Sequence, residues 1–354
     1  MSIPIRNVYY LLCYAWDALQ EGEQVDVDLE GSGPTVNLLG RVLEAGVTHL
    51  LKRGLGREYV TLEATVAGIR GKLEFGVTLK KNLLAEGRTV CAFDELHHDI
   101  LPNQILKATL RRLLTVPELD PALHGRLLGL SRRLHDISEI DLTTRSFRTV
   151  QLHRNARVYL FLMSLCRLVY DNLLVDEETG QARFRDFVRD ERQMASLFEQ
   201  FVFNFYRREQ STYNVRRPHL QWQAEATEED RKYLPVMRTD VVLRSAEETI
   251  VLDTKFYPRA LVTSRTGSQP KVHSSHLYQM LAYLKNYEPE VGVAAGILLY
   301  PTVEDDFSYN YRILGHPVRV CSVNLMQPWT VIHRQLLELL HSESAPLKPV
   351  AVRA

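Results

Sequence analysis

The stretch Arg238–Tyr257, RTDVVLRSAEETIVLDTKFY, places two acids and a lysine where an apolar strand pattern asks for no charge. Val241, Val242 and Leu243, then Ile250, Val251 and Leu252, form two β-like runs on either side of a polar turn. A turn centred between Ala246 and Glu247 puts Asp240 opposite Asp253 at a Cα separation of about 4.5–5.5 Å. Neither turn residue favours the tight primed hairpin turns, so a longer loop or a bulge is the alternative register. Side chains alternate along a strand, which puts Asp253 and Lys255 on one face and Thr254 on the other. Converging carboxylates suit a hard cation such as Mg²⁺, which keeps waters and a substrate phosphate in its shell. Phosphodiester hydrolysis is the reaction expected of such a site, with Lys255 orienting or deprotonating the water and offsetting transition-state charge. The same pattern also fits a purely structural arrangement, in which Asp240 ends a strand and Asp253 pairs with Lys255 at the surface.

Outward from this stretch, the spacing predicts a helix over 192–208, with Met194, Leu197, Phe198, Phe201, Val202 and Phe205 on its apolar side. Glu199 sits beside that stripe, within reach of a metal or simply at a helix edge. Strands are expected over 213–223, 234–243 and 249–257, a Ser-capped helix over 275–287, strands over 293–300 and 318–325, and a closing helix over 329–340. On the second of these helices His276, Gln279 and Tyr283 form a polar stripe, while Leu277, Met280, Leu281 and Leu284 face the core. The order α-β-β-β-α-β-β-α predicts a central mixed sheet with helices on both faces. Arg207, Arg208, Arg216, Arg217 and Arg238 lie close to the acids in sequence and are candidate DNA phosphate contacts, each readable equally as solvated surface.

The first half looks α+β. Helical spacing covers 7–20, 36–51, 102–114, 123–134 and 158–174, with β-like stretches at 59–66 and 89–93. The polar stretch 141–154 suggests a junction, dividing the chain into domains 1–150 and 151–354. Tyr9, Tyr10 and Trp16 fall at helical spacing among apolar neighbours and read as core rather than as a base-stacking surface. The composition, 45% hydrophobic and 24% charged, is that of a globular protein and excludes a disordered or fibrous one. Lysine plus arginine equal aspartate plus glutamate at 43 each, so the whole molecule exerts no long-range pull on nucleic acid. Cys13, Cys91, Cys166 and Cys321 are far apart and lack zinc-ligand spacing, as expected of buried thiols in a reducing compartment. The N-terminus has neither the pattern of a signal peptide nor that of a membrane span, which points to the cytoplasm. GIRGK at Gly68–Lys72 is too short for a phosphate loop, so nucleotide turnover is expected of a partner.

Glu199, Asp240, the Asp253-Thr254-Lys255 tripeptide and Gln279-x-x-x-Tyr283 together resemble the PD-(D/E)XK nuclease superfamily, over roughly the C-terminal half. Thr239 replaces the proline of the "PD" pair, and the second acid is an aspartate. IPIRNVYYLLCYAWD at Ile3–Asp17, RGKLEF at Arg70–Phe75 and PNQILKATLRRL at Pro102–Leu113 look like the McrC family, and with the nuclease motif the resemblance spans most of the chain. This resemblance implies an α+β N-terminal domain followed by an α/β restriction-endonuclease-like domain with a central mixed sheet flanked by helices. It implies a DNA-cleaving subunit of a 5-methylcytosine-type restriction complex, with Asp240, Asp253 and Lys255 as the catalytic trio and Glu199, Gln279 and Tyr283 assisting. Mg²⁺ would be held by Asp240, Asp253, the Thr254 carbonyl and Glu199. The implied partners are double-stranded modified DNA, a hexameric McrB-like AAA+ GTPase that binds the GTP or ATP, and a second nuclease copy during cleavage. Arg70 and Lys72, or the Lys80-Lys81 pair, are candidate contacts to that ring. Two other functions stay open: a non-catalytic activator of a partner NTPase, and a stand-alone repair-type nuclease.

Overall fold

The computed structural model describes residues 3–19, 33–153, 156–175, 182–257, 260–262, 269–287, 289 and 292–341. These form two compact units, one chiefly 36–185, the other chiefly 3–19 with 186–341. The division therefore falls at Asp186 rather than near 150, and α1 (Ile5–Ala15), expected in the N-terminal domain, belongs with the C-terminal residues.

Polar and aromatic contacts explain the placement of α1. Asn7 Nδ2 donates to the carbonyls of Leu325 (2.7 Å) and Gln327 (2.9 Å). Tyr10 stacks on Trp329 with ring centroids 4.6 Å apart, and Tyr14 packs edge-on against Phe201. Tyr9 is buried in the same interface, so these rings do build core, but core of the second unit.

The first unit contains α2 (Thr35–Arg53), β1 (Glu58–Ala67), β2 (Lys72–Leu73), α3 (Phe75–Lys80), β3 (Arg88–His97), α4 (Leu101–Leu113), α5 (Pro121–Arg133), α6 (Thr144–Thr149), α7 (Arg157–Asn172), β4 (Leu173–Val175) and β5 (Ala182–Phe184). It is α+β, as expected. Strands β1, β3 and β2 make an antiparallel sheet in that order, with Glu58 opposite His97 and Ala67 opposite Arg88. Pro102 stands in the first turn of α4, where its missing N–H costs nothing. Tyr59 and Leu96, paired across the sheet, are both exposed, as are Ile69, Phe75 and Leu79 near by in sequence.

The second unit continues with α8 (Glu191–Glu209), β6 (Asn214–Arg216), β7 (His219–Leu220), the short α9 (Glu228–Arg231), β8 (Met237–Arg238), β9 (Val241–Arg244), β10 (Thr249–Thr254), β11 (Leu261–Val262), β12 (Lys271–Val272), α10 (Ser274–Asn286), β13 (Ala295–Thr302), β14 (Ser308–Ile313), β15 (His316–Asn324) and α11 (Trp329–His341). Its six-stranded sheet runs β14-β15-β13-β10-β9-β6. β10, β13 and β15 are parallel, while β9 and β14 run antiparallel to their neighbours, so the sheet is mixed. Met280, Tyr283 and Leu284 of α10 pack on Val242, Val251, Leu298 and Val320. Tyr206 of α8 lies near Cys321, whose side chain alternates with that of Val320, so α8 lies on the opposite face from α10.

Three local expectations change. The strand over 213–223 breaks into β6 and β7 at Arg217–Pro218, because proline cannot donate to a ladder and restricts the residue before it. The N-cap of α10 is His273, without a side-chain cap bond, rather than a serine. Strand β14 was not expected, although Tyr309, Tyr311 and Ile313 alternate with polar residues; it is almost wholly exposed and turns into β15 through Leu314 and Gly315 at φ 49° and 89°. Positive φ at both central residues is the primed-turn geometry that matches strand twist, but leucine does not advertise it.

Candidate active site

The β9–β10 hairpin has the register read from the sequence: Thr249 faces Arg244 and Leu252 faces Val241. A loop from Ser245 to Glu248 closes it, with Ser245 N donating to Glu248 O at 2.9 Å and Ser245 Oγ accepting from Glu247 N and Glu248 N. The ladder ends at Leu252 and Val241, and Asp240 and Asp253 are the next residues beyond that last pair. Here the backbone of Asp240 leaves the strand, and its Oδ2 accepts from both Thr254 N and Thr254 Oγ1 at 2.7 Å. Thr254 thus points away from Asp253 and fixes the Asp240 carboxylate instead.

Asp253 sits on a strand flanked on both sides, facing Leu298 of β13, and is 1% exposed. Lys255 is pinned to the same neighbour through Lys255 N to Leu299 O at 2.9 Å. Its ammonium lies 2.5 Å from Asp253 Oδ2, a close ion pair between two buried side chains. Both side chains are buried, which excludes the solvated surface pair as the structural alternative. Burial pushes the Asp253 carboxyl up to about 7; the nearby Asp240 charge adds to the rise and the Lys255 ammonium opposes it.

Lys255 Nζ also donates to Gln279 Oε1 at 2.8 Å, Gln279 Nε2 donates to the Tyr283 hydroxyl at 2.7 Å, and that hydroxyl donates to the Arg238 carbonyl at 2.8 Å. Side chains four residues apart on α10 therefore tie the lysine back to β8, just ahead of Asp240. His276, from the same helix face, is buried against Tyr300, with Nδ1 and the hydroxyl oxygen 2.7 Å apart. Burial and the Lys255 charge lower His276 to about 4. Of the polar stripe, His276 and Tyr283 are buried while Gln279 is exposed. Tyr300 was not singled out from the sequence, since it lies inside an unbroken apolar run.

Glu199 comes close enough for Asp240 to raise its pKa, after burial. Its Oε1 is 3.3 Å from Arg217 Nη1, and Arg217 Nη2 donates to the Glu199 carbonyl at 2.9 Å. Arg217 therefore holds Glu199, and its guanidinium lies over Phe203, 4.2 Å from the ring centroid. Arg207 and Arg208 both pair with Asp17 at the end of α1. Arg216 bonds only locally, to Asn214 Oδ1 at 3.2 Å, and Arg238 is exposed. Of the five arginines, Arg216 and Arg238 remain open to a phosphate.

Among the described residues, no three His, Cys, Asp or Glu side chains group closely enough to hold a metal by themselves. Glu199, expected as a ligand, is engaged by Arg217 instead of closing a three-acid cage. Asp240 and Asp253 nevertheless suit a hard cation, because two neighbouring carboxylates, one of them almost fully buried and raised by the other's charge, favour an added positive charge.

The family described as McrBC 5-methylcytosine restriction system component matches residues 6–301. The chain belongs to this family. The match takes in both the Asn7 helix and the Asp240–Lys255 site. Among curated proteins, this McrBC family member is 36% identical over 339 residues to the type IV methyl-directed restriction enzyme EcoKMcrBC of Escherichia coli (strain K12), covering 95% of this chain and 97% of that protein. Among solved structures, a half-complex from the tetradecameric assembly of Thermococcus gammatolerans McrB AAA+ hexamers with bound McrC is similar in fold, with a TM-score of 0.59 at 17% identity, over 95% of this chain and 76% of that one. No helix among the described residues is long and apolar enough to cross a membrane.

Proposed function

We propose that this chain is the DNA-cleaving subunit of a modification-dependent restriction complex, with a PD-(D/E)XK-type site formed by Asp240, Asp253 and Lys255. The observation that carries this reading is the burial of Asp253 and Lys255 on one face of a central strand, beside Asp240. Asp240, Asp253 and the Thr254 carbonyl would hold Mg²⁺. When bound, the ion supplies Lewis acidity toward water and phosphate oxygens. Lys255, held by Gln279, orients the attacking water and balances negative charge on the phosphate. Arg217 holds Glu199 beside the two acids as an ion pair rather than as a metal ligand, and Arg216 and Arg238 contact the DNA backbone.

The relatives assemble with McrB AAA+ hexamers, and the 36–185 unit is the part of this chain suited to such a ring. It exposes Tyr59, Ile69, Phe75, Leu79 and Leu96, apolar side chains available to a partner. Lys72 is exposed beside them and pairs with Glu74 at 2.8 Å, while Arg70 lies over Phe93 at 3.9 Å from the centroid. The partner binds the nucleotide and recognises the modified DNA, and this chain raises its NTPase rate. The complex acts in the cytoplasm, where the buried cysteines stay reduced.

The test is Mg²⁺-dependent cleavage of methylated plasmid by the chain with its AAA+ partner and nucleotide, comparing wild type with Asp253→Ala and Lys255→Ala. Cleavage that needs the partner and falls by at least about 100-fold in both variants is the expected outcome. Cleavage without the partner would indicate a stand-alone nuclease; faster nucleotide hydrolysis without any cutting would leave only an activator.

A further inference from the structure

Two residues beyond Lys255, the chain presents an aromatic group that the hydrolysis chemistry does not use. Lys255 and Phe256 are each 9% exposed, yet Tyr257 is 40% exposed. Its ring does not stand alone. The centroid lies 4.7 Å from His276 and 5.5 Å from His273, and the two imidazoles stack on each other at 4.6 Å and 25°. The inner imidazole is fixed by Tyr300, whose hydroxyl is 2.7 Å from His276 Nδ1. A tyrosine 40% exposed is thus seated against two imidazoles at the start of α10, one of them held by Tyr300.

Its position is as informative as its packing. Tyr257 follows the C-terminal end of β10, and Tyr300 lies near that of the parallel neighbour β13. In open α/β sheets, ligands bind in the crevice outside the carboxyl ends of the parallel strands. A nucleic-acid strand whose phosphate lies against Asp253 and Lys255 brings its flanking nucleotide to this place. A partly exposed ring on such a stack is what an unstacked base needs, and it serves any base because every base has a π-face.

We infer that Tyr257, backed by His273 and His276, is a stacking platform for one nucleobase of the strand being cut. This positioning role rests on the nuclease reading above. The platform holds the base next to the scissile phosphate and so fixes that phosphate against Lys255. Recognition is indifferent to base identity, leaving the choice of site to the modification reader.

The test uses the full chain with its AAA+ partner, nucleotide and methylated DNA. Tyr257→Ala is expected to raise KM for DNA on the order of 10-fold, with kcat changed less and thermal melting unchanged, while Tyr257→Phe stays within about 2-fold of wild type. A second measurement places 2-aminopurine at successive positions around the mapped cut, on DNA bound to the uncleaving Asp253→Ala chain. One position should change fluorescence on binding, and the change should vanish when Tyr257→Ala is added. Unchanged KM in Tyr257→Ala, or the same 2-aminopurine profile with and without the ring, overturns the platform while leaving the nuclease intact. Absence of any cleavage by wild type removes both.

Discussion

Replacing Asp253 with asparagine keeps the side chain's shape and removes its ionisation, which gives a direct measure of the strain at the site. Burial, then Asp240, lifts this carboxyl from 3.8 to about 7 in the folded chain. The folded pKa is therefore above the unfolded one. Between those values the folded state holds a proton that the unfolded state has released, so stability falls as pH rises through the window, and the full penalty is present above about pH 7. A rise from 3.8 to about 7 corresponds to about 4 kcal/mol at pH 8, and to about 2 kcal/mol at pH 5, where the window is only partly crossed. The attraction of Lys255 is already contained in that figure, since it opposes the rise. Without divalent cation, Asp253→Asn should thus melt about 10 °C above wild type at pH 8, with the gap closing toward pH 4. Adding Mg²⁺ should stabilise wild type and not the variant, because only the ionised carboxylate gains from it. Calorimetry across pH, with chelator or with Mg²⁺, reads both effects. A wild type at least as stable as Asp253→Asn at pH 8 in chelator, or a gap that widens as pH falls, would refute the account.

Asn7→Ala removes two hydrogen bonds to the carbonyls of Leu325 and Gln327, at about 1 kcal/mol each, and should lower the melting temperature of the unit carrying the site by about 5 °C. Melting unchanged from wild type would mean that α1 is not anchored there. Gln279→Ala deprives Lys255 of its acceptor at 2.8 Å and should lower kcat about 10-fold with KM for DNA little changed, as measured by steady-state cleavage. A rise confined to KM would assign Gln279 to DNA binding instead.

Much of the site was legible because strands advertise register. Two apolar runs, a polar turn of even length and one acid near the far end of each run suffice to place Asp240 beside Asp253. The Gln279 and Tyr283 spacing was equally legible, since residues four apart on a helix must be neighbours. What lay beyond reading depends on partners distant in sequence. The apolar stripe of α1 shows that the helix buries a face, but not that the face meets Phe201 and Trp329, nearly 200 residues or more away. Glu199 could be seen to approach the metal site; only the structure shows Arg217 holding it.

The position of Asp253 also explains why the site has the residues it has. Asp253 is 1% exposed and its neighbours Val251 and Leu252 are fully buried, so the carboxylate is almost wholly removed from bulk water. A charge confined in this way must be neutralised where it stands, by a proton, by an ammonium or by a cation. Lys255 does this partially: it pairs with one oxygen at 2.5 Å and shares its ammonium with Gln279. Had the lysine satisfied Asp253 completely, a metal ion would gain little by binding. Had it been absent, the carboxyl would stay protonated well above neutral pH. The incomplete pairing leaves Asp253 balanced near neutrality, where modest free energy from Mg²⁺ and a DNA phosphate is enough to displace the proton. The site is therefore expected to assemble with its substrate, not ahead of it.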